Sequence, residues 1–313
     1  MLELWAGEYT TLSALALYLP QHFYLVGPIT LGLWTLARRR LKLVLFNGLS
    51  LAFCLFFPLG LHLHLPQWRQ AKTIRIVTFN VERGEADSTH MPHVKAALLA
   101  LHPDVICLQE SGRSTGINLN VVGWQISHAF PGWTIHHAGD VATLSRFPII
   151  EDHVYFLKGT RRTLETVMQT PQGKVRVLNT HVSTSFVGYS PPQSKAEAAV
   201  FIWKTASLGA QTRLSQLPAL RTAIDAGNAR LPLILAGDFN SPPRGHFYSG
   251  LARDLNDAFA YSGNGTGYSF PASTPLLRID YVWTRGAKAR RAFVGETSAS
   301  DHRPLIADVE VNS

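Results

Sequence analysis

The chain has 313 residues, 46% of them hydrophobic, and a formal net charge of +8. That length accommodates one large domain plus an appendage, and the basic balance favours anionic partners such as phosphodiesters, anionic lipid or nucleic acid. Cys54 lies in an apolar block and Cys107 in a strand-like run, which argues against a disulfide between them and against a cysteine-ligated metal site.

Taken in chain order, the first 65 residues differ in kind from the rest. Thr11–Ala37 lacks Asp, Glu, Lys and Arg but is interrupted by Pro20, Gln21, His22, Gly27 and Pro28, whereas Leu43–Leu65 is uncharged throughout. Each is long enough to cross a hydrocarbon core of about 30 Å, the first of them kinked or partly re-entrant. Arg38-Arg39-Arg40-Leu41-Lys42 between them marks a cytoplasmic turn. The expectation is a membrane anchor over 1–65, a transmembrane helical hairpin with spans at about 11–37 and 43–65. A linker follows at 66–72, then an extracytoplasmic domain over 73–311. This places the chain as an integral protein of the plasma (inner) membrane, its domain periplasmic in a Gram-negative cell. A cleavable signal peptide fits the acidic start, with Glu3 and Glu8, and the two long apolar blocks poorly. A soluble protein with buried helices is the competing reading.

From Lys72 onward the texture is that of an α/β domain. Helical patterns occur at His93–Leu101 and Gln211–Ala226, and buried strands read at Ile74–Val77, Val105–Leu108, Val175–Leu178, Leu233–Ala236 and Pro304–Val309. Phe186–Thr205 is rich in aromatic residues and proline, and reads either as a loop facing an interface or, at Val200–Trp203, as one apolar helix face.

The polar groups that follow these strands carry the chemistry. Asn80, Glu110, His181, Asp238 and Asn240 lie at or just past strand ends, and Asp301-His302 precedes the last strand. Strand ends that meet on one sheet edge gather distant side chains into a cleft, and carboxylate and amide oxygens suit a hard divalent cation such as Mg²⁺. Asp280, inside Arg-Ile-Asp-Tyr-Val, needs a partner if buried, and an imidazole would suit it. His62, His64, His136, His137 and Arg146 have ordinary structural explanations, and the Gly263–Gly267 loop lacks the lysine of a phosphate-binding loop.

Together and in this order, the motifs Thr78-Phe79-Asn80-Val81, Leu108-Gln109-Glu110, Asn179-Thr180-His181, Gly237-Asp238-Phe239-Asn240 and Ser300-Asp301-His302 resemble the endonuclease/exonuclease/phosphatase superfamily, over about residues 73–311. The resemblance implies a four-layer α/β sandwich, two central β-sheets flanked by helices. It implies that Asn80, Glu110 and Asp301 hold Mg²⁺, with Mn²⁺ a possible substitute and Glu110 the principal ligand. It implies further that Asp238 and Asn240 position the attacking water and contact the phosphate, that Asp280 orients His302, and that His302 is the catalytic histidine. Asn-Thr-His at 179–181 is similar to the sphingomyelinase, inositol-phosphatase and deoxyribonuclease-I branches, where this histidine contacts the phosphate or assists the leaving group.

The reaction expected is metal-assisted, in-line attack by water on a phosphodiester or phosphomonoester, with Asp238 or His302 as general base. The substrate expected is an anionic phosphate ester, a lipid or lipid-linked headgroup at the bilayer. An extracytoplasmic Mg²⁺-dependent nuclease is the alternative, and a catalytically idle, membrane-tethered binding module the second.

Overall fold

The computed structural model describes residues 6–65, 71–82, 91–111, 129–184 and 195–311. In chain order its elements are α1 (Thr11–Tyr18), α2 (Phe23–Ala37), α3 (Leu41–Phe56), β1 (Ile74–Asn80), α4 (Met91–Ala100), β2 (Val105–Gln109), β3 (Thr134–Ala138), β4 (Val141–Ser145), β5 (Ile149–Phe156), β6 (Arg162–Thr170) and β7 (Gly173–His181). There follow α5 (Lys195–Asp225), β8 (Leu233–Asp238), α6 (Gly245–Leu251), β9 (Asn256–Asp257), α7 (Ala258–Ser262), β10 (Asp280–Arg285), β11 (Ala287–Val294) and β12 (Leu305–Val311).

The strands form two mixed six-stranded sheets, in the orders β11-β12-β1-β2-β4-β3 and β5-β6-β7-β8-β10-β9. Only β1 with β2 and β7 with β8 pair in parallel in the registers observed. Their near-continuous apolar sequences follow from burial on both faces. Ile74, Ile76, Val105 and Cys107 of one sheet meet Val175, Val177, Ile234, Ala236 and Val282 of the other. Residues of opposite pleat go outward: Val77 and Phe79 pack with Val94 and Leu98 of α4, and Leu233, Leu235 and Trp283 with Leu220 and Ile224 of α5. Helices thus flank the paired sheets on both sides. A polar layer crosses between the sheets beneath one edge, where Gln109 Nε2 donates to Asn179 Oδ1 at 2.8 Å and Asn179 Nδ2 donates to the Ala142 carbonyl at 2.9 Å.

The N-terminal part departs from expectation. The two spans, 11–37 and 43–65, are not transmembrane helices: among the described residues no helix is long and apolar enough to cross a membrane. The first block is divided at Leu19–His22, beside Pro20, into α1 and α2, and the second ends as helix at Phe56, just before Pro58 and Gly60. With 15 and 16 residues, α2 and α3 rise no more than about 24 Å, short of a hydrocarbon core of about 30 Å. The flanking pieces dock on the domain: α1 packs against α5, and His62 pairs with Gly265 through its backbone N–H and C=O. The Arg38–Arg40 turn does join a helical hairpin, seamed by the Asn47 Nδ2 to Thr35 Oγ1 hydrogen bond at 3.3 Å. Residues 66–70 of the linker, Glu3, and Phe186, Tyr189, Pro191 and Pro192 of the aromatic stretch lie outside the described residues, as do the side chains of Phe201 and Trp203. The helix expected at Gln211–Ala226 begins earlier, at Lys195, and continues through Pro218.

Candidate active site

Sheet register brings the polar strand ends together. Asp238 closes β8, pairs with His181 at the end of β7, and on its other side pairs with Asp280, the first residue of antiparallel β10. Gly237 permits this approach: a Cβ there would lie 1.9 Å from the Thr180 carbonyl oxygen, and its φ is +154°. From the opposite sheet Asn80, at the end of β1, reaches across and donates from Nδ2 to Asp238 Oδ2 at 3.0 Å.

Asp238 is the hub. Its Oδ2 also accepts from Asn240 Nδ2 at 3.1 Å and lies 3.6 Å from His181 Nε2 and 3.9 Å from His302 Nε2. Its Oδ1 accepts the Asn240 backbone N–H at 2.8 Å, holding Asn240 in a left-handed conformation with φ +48°. Asn240 Nδ2 reaches the Val182 carbonyl at 3.1 Å and sits 3.4 Å from His181 Nε2. Asn80, His181, Asp238 and His302 are buried, and Asn240 is partly exposed.

Each histidine has its own carboxylate. His302 Nδ1 donates to Asp280 Oδ2 at 2.9 Å, the ring lies against Phe270 with centroids 4.8 Å apart, and its backbone N–H donates to Ser300 Oγ at 3.1 Å. Burial opposes charge on this imidazole, but the carboxylates of Asp280 and Asp238 outweigh it and push the pKa up to about 10. His181 Nδ1 lies 2.8 Å from Asp140 Oδ2, and Asp140 is ion-paired with Arg161. Burial raises the Asp140 carboxyl, yet its hydrogen bond to His181 and the neighbouring Arg161 charge hold it below the ordinary value.

Glu110 and Asp301 stand at the mouth of this group. Glu110 follows β2 with φ +52°, and the Asp301 backbone N–H donates to Glu82 at 3.1 Å. Burial raises the Asp301 pKa, as do the nearby charges of Glu82 and Glu110, against the opposing pull of His302. Crowded carboxylates of this kind fit a hard divalent cation, which would relieve their mutual repulsion. Deeper in, ligand atoms of Asp238, Asp280 and His302 all lie within 4.8 Å of one another, and Asp280 Oδ1 is buried with no hydrogen-bond partner. The carboxylates at the mouth therefore fit a metal ion, whereas the inner set would do so only with His302 deprotonated.

The six residues Asn80, His181, Asp238, Asn240, Asp280 and His302 thus form one contiguous network, with Glu110 and Asp301 beside it. Sequence reasoning missed Asp140, Arg161 and Glu82. Gly139-Asp140, between β3 and β4, is a two-residue hairpin turn, and Gly-Asp is a pair that such turns favour. Nothing local in the sequence says that this turn faces His181.

The endonuclease/exonuclease/phosphatase family model matches residues 77–302. The Escherichia coli K12 protein named "Uncharacterized protein YbhP" is 24% identical over 278 residues, spanning 79% of this chain and all of that protein. Among solved structures, a functionally unknown conserved protein of Enterococcus faecalis V583 superposes with a TM-score of 0.58 at 18% identity, covering 76% of this chain and all of that one. The human Nocturnin catalytic domain with bound sulfate gives 0.55 at 19% identity, over 77% and 95% of the two chains. The Bacteroides thetaiotaomicron mannosyl-6-phosphatase Bt3783 gives 0.56 at 15% identity, over 76% and 99%. These likenesses show a shared fold. With its family match running from β1 through His302, the chain belongs to the endonuclease/exonuclease/phosphatase family.

Proposed function

We propose that the protein is a Mg²⁺-dependent phosphoester hydrolase whose substrate is a lipid or lipid-linked phosphate ester presented at a membrane surface. The observation that carries the hydrolase reading is the pair of buried carboxylate–imidazole dyads, Asp280–His302 and Asp140–His181, converging on Asp238.

Glu110, Asp301 and Asn80 are the residues that would hold the cation, with Glu82 adjacent. When bound, Mg²⁺ supplies Lewis-acid stabilisation of a phosphoryl oxygen and of the leaving oxygen; Mn²⁺ would serve in the same way. The residues divide the remaining work. His302, held as an imidazolium by Asp280, donates to a phosphoryl oxygen as negative charge builds there. A proton already on His302 makes it a poor base, so Asp238 takes the proton of the attacking water through Oδ2, with Asn80 and Asn240 fixing the direction of that oxygen. His181, oriented by Asp140, donates from Nε2 on the leaving-group side.

The lipid reading is supported by what surrounds the site. Helices α2 and α3 expose large apolar side chains around their circumference, including Phe23, Ile29, Leu33, Leu36, Leu45 and Phe53. A helix pair that is apolar on every side needs a non-aqueous neighbour. Its base adjoins the site's rim, where His22 packs on Tyr268, two residues from Phe270, and its turn carries Arg38, Arg39 and Arg40, complementary to anionic headgroups. On this reading the pair dips into the membrane, each helix being too short to cross it. The overall charge of +8 suits nucleic acid equally, so an exported nuclease is the second reading. An idle binding module ranks last, because Glu110, Asp238 and both histidines are present.

The test offers mixed phospholipid vesicles and plasmid DNA in parallel to the full-length protein with Mg²⁺. Headgroup release that disappears with chelator and in His302→Ala is the expected result. DNA nicking under the same controls, with lipid intact, replaces the lipid reading by the nuclease.

A further inference from the structure

The chain that leaves Asp238 is held from outside by the N-terminal segment. Tyr18, the last residue of α1, donates its hydroxyl to the Asn240 carbonyl at 2.9 Å, and the Arg213 guanidinium covers its ring at 4.7 Å. Gln21 accepts a hydrogen bond from Arg244. Glu8, buried, accepts the backbone N–H groups of His246 and Phe247 at 2.6 and 3.1 Å, against a Gly245 where a Cβ would come within 2.6 Å of that carboxylate. Contacts from residues 8 to 21 therefore converge on residues 240 to 247, more than two hundred positions away in sequence.

The same turn carries unusual backbone. Asn240 has φ +48° and Arg244 φ +108°, neither of them glycine. Asparagine tolerates the first, whereas the second persists in an arginine only where the surroundings over-determine it. The two peptides that flank the Asn240 Cα are each fixed, the first through its N–H by Asp238 Oδ1 and the second through its C=O by Tyr18. Its side-chain amide lies between Asp238 Oδ2 and His181 Nε2. Rotating the backbone at Asn240 would swing that amide out of place.

We propose that residues 8–21 form a brace for the turn after β8, with Tyr18 a positioning residue that holds Asn240 in register with Asp238 and His181. The brace rests on the reading of Asp238, Asn240 and His181 as the reacting group. A corollary is that a fragment beginning after residue 65 lacks part of the machinery that shapes its own site.

The test compares full-length wild type, Tyr18→Phe and His302→Ala in two measurements. The first is Mg²⁺-supported hydrolysis of bis(4-nitrophenyl) phosphate. Tyr18→Phe is expected to lower kcat about tenfold, the effect of one hydrogen bond, with KM changed by less than about twofold. The second is amide hydrogen exchange, which is expected to quicken across residues 239–247 and stay unchanged in β1; general loosening would quicken both. Unchanged kcat in an enzyme that His302→Ala silences overturns the brace, and so does unchanged exchange at 239–247. If wild type is inert, or His302→Ala stays active, the reading of the site falls, and the exchange result alone decides the brace. Should Tyr18→Phe not fold, Gln21→Ala, which removes the Gln21 hydrogen bond from Arg244, is expected to give the same local increase in exchange.

Discussion

His302 Nδ1 lies 2.9 Å from Asp280 Oδ2, and both side chains are almost wholly buried. The carboxylate fixes the ring's tautomer and turns Nε2 towards the hub at Asp238. Against the effect of burial, Asp280 and Asp238 together push the imidazole pKa up to about 10 from an ordinary value of 6.5. A folded-state pKa raised in this way stabilises the fold fully below the unfolded value, and that contribution is lost as pH rises through the folded one.

Asp280→Asn is therefore expected to lower the His302 pKa, as followed by NMR on metal-free protein. The stability gap between wild type and variant should be wide at neutral pH and narrow as pH approaches 10, measured by denaturant unfolding. Loss of the oriented imidazolium should cost about a hundredfold or more in kcat. An unchanged imidazole titration would contradict the dyad.

Metal binding has a signature that does not depend on turnover. A cation held by the folded state alone raises the unfolding temperature with concentration. Mg²⁺ and Mn²⁺ are each expected to do so for wild type and much less for Glu110→Gln or Asp301→Asn, measured by thermal unfolding in titrations from a chelated start. Equal shifts in wild type and both variants would place the ion elsewhere.

How much of this was legible follows from what each signal encodes. Uninterrupted apolar runs at Ile74–Val77 and Leu233–Ala236 mark strands buried on both faces, and those strands were found in β1 and β8. The polar residues that end them were readable because strand ends share an edge. Asp140 and Arg161 were not, since a hairpin turn says nothing about which distant side chain it will face. Tyr18 was hidden by the apolarity of its own segment. Uncharged runs read as lipid spans, yet Pro20, Pro58 and Gly60 cut them into pieces too short to cross, and two of those pieces dock on the domain. Hydropathy reports a dislike of water, and the docking partner is set by tertiary contacts.

Gly237 gives a stability prediction. Any Cβ at this position meets the Thr180 carbonyl oxygen at 1.9 Å, in a backbone conformation at φ +154° that side chains rarely adopt. Gly237→Ala should destabilise the protein by about 2–4 kcal/mol and separate His181 from Asp238. Denaturant unfolding measures the loss; a change under about 0.5 kcal/mol would contradict the close approach.

The cysteines give a chemical check on the core. Cys107 is wholly buried between the sheets, and burial pushes its thiol up to about 12. Cys54 is partly exposed on α3. Alkylation of native protein at mildly alkaline pH should label Cys54 and spare Cys107 until denaturant is added, as mass spectrometry of the digested protein would show. Prompt native labelling of Cys107 would contradict the sheet packing.

The proposed reaction is hydrolysis of a phosphate ester by the two dyads around Asp238 with the help of a divalent cation. Its most direct measurement is steady-state hydrolysis of an aryl phosphodiester and an aryl phosphomonoester by the full-length protein, with Mg²⁺ and with chelator, in wild type, Asp238→Asn, His181→Ala and His302→Ala. Turnover of at least one ester is expected, abolished by chelator and lowered by about a hundredfold or more by each substitution. Turnover that survives either chelation or the loss of His302 and Asp238 would contradict it.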